Sequence, residues 1–124
     1  MSEKINWTFR AQVIDGPLMI ASGKLVMDAY DKLEVTVSAG GEKTVDVQPA
    51  AGAHLLLITA SAYDSITYRV DGRDANTLDN VHILIGNGAV RLLGSTQKQF
   101  VFQNSSINDV VVEILVGRDL VPIS

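Results

Sequence analysis

Three runs of this chain are apolar at successive positions: Leu55-Leu56-Leu57-Ile58, Val81-His82-Ile83-Leu84-Ile85 and Val110-Val111-Val112-Glu113-Ile114-Leu115-Val116. Successive side chains of a β-strand point to opposite faces. A strand in a two-layer sandwich needs only one apolar face. A run that is apolar on both faces must be covered twice, either by loops and sheets of its own chain or by another copy.

Elsewhere the hydrophobic period is two. Ile5, Trp7, Phe9, Ala11 and Val13 alternate with Asn6, Thr8, Arg10 and Gln12, which predicts a half-buried strand with Trp7 and Phe9 in the core. Asp15-Gly16-Pro17 supplies turn chemistry, and a second strand is expected over Leu18 to Asp28, bent at Gly23. Leu33, Val35 and Val37 alternate with polar residues, as do Val45 and Val47. The intervening Gly40-Gly41 predicts a hairpin. Further strands are expected at His54 to Ala62, Ile66 to Val70, Val81 to Ile85, Ala89 to Leu93, Phe100 to Phe102 and Val110 to Val116. No segment holds a helical period over eleven or more residues. Nine or ten short strands punctuated by turn residues indicate an all-β fold. The expectation is one antiparallel, jelly-roll-like β-sandwich of about 8–10 strands spanning residues 1–124.

Composition excludes several roles. With no cysteine there is neither a disulfide framework nor a thiolate metal site. The net charge is −4, and the five Lys and five Arg are scattered. Binding to nucleic acid draws its affinity from clustered cations, so no such partner is expected. The segment Met1 to Trp7 lacks the apolar run of a signal peptide, and the stretch Val47 to Tyr63 is too short and broken to cross a membrane as a helix. The expected site of synthesis is the cytoplasm, with no membrane partner. On that basis the sequons Asn6-Trp7-Thr8 and Asn104-Ser105-Ser106 are coincidental.

Candidate chemistry is sparse. His54 and His82 show no metal-ligand spacing. Asp71, Asp74 and Asp79 lie with Asn76 and Asn80 in one polar loop, which makes them the calcium candidates, although the same residues serve turns. Tyr30 and Tyr63 lie beside turns and are the candidates for an exposed ring that stacks on a sugar or other ligand. The chain has no nucleophile elbow, phosphate loop or dinucleotide fingerprint. It is therefore expected to be non-enzymatic and to need no cofactor.

Charge is also missing where sheets usually carry it. Residues 47–63 hold no Asp, Glu, Lys or Arg, and residues 80–108 hold only Arg91 and Lys98. Free sheet edges are commonly protected by charge, whereas charge depletion marks the centre of an interface. Val81, Ile83, Ile85, Val111 and Leu115 are accordingly the expected interface residues of a homo-oligomer.

The stretches Ser65-Ile66-Thr67-Tyr68-Arg69-Val70, Leu78 to Ile85, Val90 to Gly94 and Val112 to Asp119 resemble the small all-β structural proteins of tailed phages, the decoration or cement proteins and head- or tail-associated sandwiches. The resemblance implies a non-enzymatic, many-copy particle component made in the host cytoplasm, and the expected function is self-association as a trimer with docking onto a larger assembly such as a capsid or tail. The alternative is a carbohydrate- or ligand-binding sandwich, calcium-assisted, that uses Tyr30, Tyr63 and the 71–80 loop.

Overall fold

The computed structural model describes residues 3–27, 29–47, 53–63, 65–94 and 97–118. Ten strands follow one another among the described residues. They are β1 (Glu3–Gln12), β2 (Leu18–Met27), β3 (Ala29–Val37), β4 (Glu42–Asp46), β5 (Ala53–Ala60), β6 (Ile66–Val70), β7 (Asn76–Thr77), β8 (His82–Ile85), β9 (Gln99–Asn104) and β10 (Val110–Arg118). Between β8 and β9 lie a one-turn helix α1 (Asn87–Val90) and a 3-10 turn (Arg91–Leu93).

Eight of these strands build two antiparallel four-stranded sheets, ordered β3-β10-β5-β8 and β4-β9-β6-β7. Consecutive strands alternate between the sheets, except that β6 pairs with β7. This is the strand order of a jelly roll, as the sequence predicts. Inward side chains from both sheets meet in one core. Val112, Ile114, Val116, Leu56 and Ile58 come from the first sheet, and Phe100, Phe102, Ile66, Tyr68 and Val70 from the second. The rings of Phe100 and Phe102 stack with centroids 6.3 Å apart, and Tyr68 lies against both. Val90, on α1, is fully buried and joins the core at one end.

Three expectations are corrected. Gly40-Gly41 does not close a hairpin, because β3 pairs with β10 and β4 with β9. The chain changes sheets here, through a turn in which the Gly41 amide donates to the Ser38 carbonyl at 2.8 Å and Gly40 takes φ +67°. Two alternating runs around Gly-Gly fit a hairpin and a sheet-to-sheet corner equally well, and only the pairing partner separates them. Ala89 to Leu93 is helical, since the Val90 amide donates to the Gly86 carbonyl at 3.1 Å.

The third correction concerns β1 and β2. They belong to neither sheet of the sandwich. They form a separate two-stranded ribbon with an unbroken register from Glu3–Met27 to Gln12–Leu18. No element of the sandwich makes comparable contact with either strand. Trp7 is therefore half-buried rather than core, and Phe9 is 42% exposed.

Candidate functional site: an apolar arm and an apolar sheet face

The ribbon's register sorts its side chains. Partners directly opposite in an antiparallel pair share a face. Ile5, Trp7, Phe9 and Ala11 therefore lie on one face with Leu25, Gly23, Ala21 and Met19. Every one of these residues is apolar, and Glu3 opposite Met27 ends the face at the base. The other face carries Lys4, Asn6, Thr8, Arg10 and Gln12 from β1 opposite Val26, Lys24, Ser22, Ile20 and Leu18 from β2. Trp7 lies over Gly23 so closely that a Cβ there would come within 2.8 Å of its ring. The glycine thus makes room for the indole, and the indole covers the bare backbone.

A two-stranded hairpin alone in water is marginally stable at best. This one also exposes much of what it should bury. Of the eleven large hydrophobic residues exposed among the described residues, seven belong to the arm or its tip, including Ile14 at 90%, Met19 at 65% and Ile20 at 61%. The exception is at the base. Met27 is 1% exposed, and its sulfur covers Gly117 beside Leu55, on the outer face of the sheet β3-β10-β5-β8.

That outer face is the second part of the site. Across β10, β5 and β8 the register aligns Leu115, Leu57 and Ile83 in one row. The adjacent row runs Tyr30, Gly117, Leu55 and Ile85. Leu55 is buried under Met27, Leu57 and Leu115 are half-buried, and Tyr30 and Ile83 stand 52% and 43% exposed. Further along, the face turns polar through Glu34, Glu113 and Thr59, with Lys32 3.7 Å from the Glu113 carboxylate. The outer face of the opposite sheet contrasts with it. There Glu42, Gln103, Thr67 and Thr77 align in one row and Thr44, Val101 and Arg69 in the next, as expected of a solvated sheet face.

Three of the five interface candidates, Leu115, Ile83 and Ile85, therefore share the apolar part of the outer face. Val111 lies on the same face beyond the polar row of Glu113, and Val81 is half-buried just before β8. Tyr30 stands at the margin of the same face. Tyr63, expected to be exposed, is half-buried against the core, and its hydroxyl accepts the Ala60 amide at 3.3 Å. The two tyrosines do not form one stacking platform. Tyr30 pairs with Gly117, whereas Ala60, beside Tyr63, pairs with Val112, five residues or about 17 Å away along β10.

The calcium candidates are not gathered either. The Asp71 carboxylate is a structural hook, accepting the amides of Lys98 at 3.0 Å and Gln99 at 2.8 Å. Asp74 lines an open cleft of about 410 Å³ with Arg73 and Arg91. Asp79 is 4.0 Å from His82 Nε2. Among the described residues no three His, Asp or Glu side chains are placed to hold a metal ion.

Sequence reasoning did not single out Tyr68. Its hydroxyl lies 2.6 Å from His82 Nδ1, which joins β6 of one sheet to β8 of the other. With Tyr68 1% exposed, this pair clips the sandwich together. Burial pushes the phenol up to about 12 from the ordinary 10. The neutral phenol is thus favoured by folding. Its contribution is complete below pH 10 and is lost as the pH rises through about 12. A two-unit difference corresponds to about 2.7 kcal/mol. Urea titrations between pH 9 and 12 should show Tyr68→Phe losing less stability across this window than the parent protein. Parallel profiles would contradict this account.

The chain matches no family model and no curated protein sequence, so what it does must be argued from the arm and the sheet face themselves.

Proposed function

We propose that this protein is a non-enzymatic structural component that self-associates and docks onto a larger assembly, a tailed-phage virion in which it decorates the head or tail. The observation that carries this reading is the arm, a ten-residue-strand ribbon with one face apolar from Ile5 to Ala11 and, apart from Met27 at its base, no comparable contact with its own sandwich. A contiguous exposed apolar surface marks an interaction site. Jelly rolls serve capsids, lectins and cupins alike, so the fold does not choose among them. A lectin or cupin role would draw its support from polar and aromatic groups converging on one concave site. Here Tyr30, Tyr63 and the aspartates are dispersed, while the apolar surface is continuous. The phage assignment is supported by the resemblance of residues 65–119 to small phage structural sandwiches.

Light scattering at tens of micromolar tests the self-association. A closed oligomer, three copies on the phage analogy, is expected, and a monodisperse monomer would overturn the reading. The virion assignment is tested by mass spectrometry of purified particles from the source phage. The protein should be present at many copies per particle.

A further inference from the structure

The arm and the outer sheet face are complementary surfaces. Building on the self-association reading, we infer that the β1–β2 arm of one copy lies, apolar face down, across the outer face of the sheet β3-β10-β5-β8 of a second copy.

Five observations point to a second copy as the occupant. First, the two surfaces already meet at Met27, a residue of the arm's apolar face that is buried over Gly117 and Leu55 on that sheet. Second, the arm does not double back over its own sheet: beyond Met27, no strand of that sheet makes comparable contact with β1 or β2, and Phe9 and Met19 stand exposed. Third, the dimensions agree. Ten residues of ribbon extend about 34 Å and the nine-residue strands β3 and β10 about 30 Å, so a ribbon aligned with them spans the apolar rows and the polar row of Glu34, Glu113 and Thr59 beyond.

Fourth, the charges are complementary. Through Met27 the chain carries Lys4, Arg10 and Lys24 against Glu3 and Asp15, one net positive charge. The remainder has seven basic against twelve acidic residues, five net negative charges. Opposite signs steer one copy's arm toward another copy's body and discourage body-to-body encounter.

Fifth, the area suffices in a closed assembly. A ribbon about 34 Å long and about 10 Å wide covers roughly 340 Å². A copy that donates one arm and receives one then loses roughly 700 Å² of surface, close to the ~800 Å² per partner of a standard interface. The row Leu115, Leu57 and Ile83 is the floor on which Phe9 and Met19 would rest.

The absence of native cysteine makes the test direct. Full-length chains carrying Phe9→Cys are mixed with chains carrying Ile83→Cys and treated with a short bis-maleimide. A cross-linked heterodimer is expected from the mixture. In parallel, Phe9→Asp and Ile83→Asp change exposed positions, so melting curves should verify that both fold. Each should raise the concentration of half-assembly about a hundredfold, because a carboxylate would be buried in an apolar contact. Val101→Asp, on the polar outer face of the other sheet, should leave assembly unchanged.

A wild-type protein that is monomeric at high concentration overturns both the self-association reading and this inference. A wild-type oligomer that survives both Asp variants, or that yields no heterodimeric cross-link, overturns the arm docking alone. So does a double variant that cross-links only within one chain. Vesicles of phosphatidylcholine and phosphatidylglycerol provide the remaining arm. Sedimentation of wild-type monomer with them, abolished by Phe9→Asp, assigns the arm to a lipid surface and overturns the inference.

Discussion

Phe102→Ala is expected to lower the unfolding free energy by about 3–5 kcal/mol, the range for removing a fully buried phenylalanine from a packed core. Phe102 is 0% exposed, lies in β9 between β4 and β6, and contacts the rings of both Phe100 and Tyr68. Its neighbours are held by two sheets and cannot collapse into the void, so the cost combines lost transfer energy with a residual cavity. For a chain of this length the melting temperature should fall by roughly 10–20 °C. Val101→Ala, one residue earlier on the polar outer face, should cost less than about 1 kcal/mol. Comparable losses for the two would mean that β9 does not face the core as described.

The second large effect concerns Asn104, the one buried polar side chain of the described core. Its Nδ2 donates to the Val37 carbonyl at 3.1 Å and the Asn108 carbonyl at 2.8 Å, while its Oδ1 accepts the Ser106 amide and hydroxyl. The amide thereby ties the end of β3, where the chain leaves the first sheet, to the turn between β9 and β10. Asn104→Asp keeps the size but replaces the double donor with an oxygen facing two carbonyls. A cost of about 3–5 kcal/mol at pH 7 is expected, that of a buried charge left without a partner. Burial raises the folded-state pKa of the introduced carboxyl, so the deficit should grow as the pH rises and shrink in acid, where the protonated form can donate. Urea denaturation at pH 4 and pH 7 reads this directly. A deficit that does not change between the two would show that the side chain is not held against the carbonyls. Asn104→Ala should cost about 2–3 kcal/mol at both, because it strands acceptors without adding charge.

Much of the sandwich was legible in the chain. Alternation placed Val35 and Val37, Val45 and Val47, Ile66 with Tyr68 and Val70, and Phe100 with Phe102 on inward faces, because one buried sheet face imposes a period of two. The doubly apolar runs marked β5, β8 and β10, and the structure explains them. These three are neighbours in one sheet, whose inner face meets the core and whose outer face carries Leu55, Leu57, Ile83, Ile85 and Leu115. Gly117 and Leu55, nearest Met27, are buried, whereas Tyr30 and Ile83 stand exposed. Trp7 and Phe9 show the limit of the same reasoning. Their alternation says that one face of β1 avoids water, and it is silent on what lies opposite.

The candidate site was legible as residues but not as a place. Ile83, Ile85 and Leu115 were identifiable from pattern and missing charge, yet only the register of β8, β5 and β10 brings them onto neighbouring rows. Tyr63 and the aspartates of residues 71–80 carry types suited to ligands, but their hydrogen bonds commit Tyr63 and Asp71 to holding turns. Tyr68 and His82 are fourteen residues apart, and nothing in their local pattern pairs them. Their bond exists only because two sheets face each other.

By itself, then, the sequence determined the class of fold, the inward faces of most strands and the presence of apolar surface beyond what one core can use. Those properties follow from side-chain polarity at a two-residue period, which is local. The tertiary structure alone decided that β3 to β10 complete a jelly roll without β1 and β2. It alone decided that Gly40-Gly41 turns a corner between sheets, and that the surplus apolar surface is divided between a projecting arm and one sheet face. Those outcomes depend on which strand pairs with which, and strand pairing is a long-range choice that no local pattern encodes.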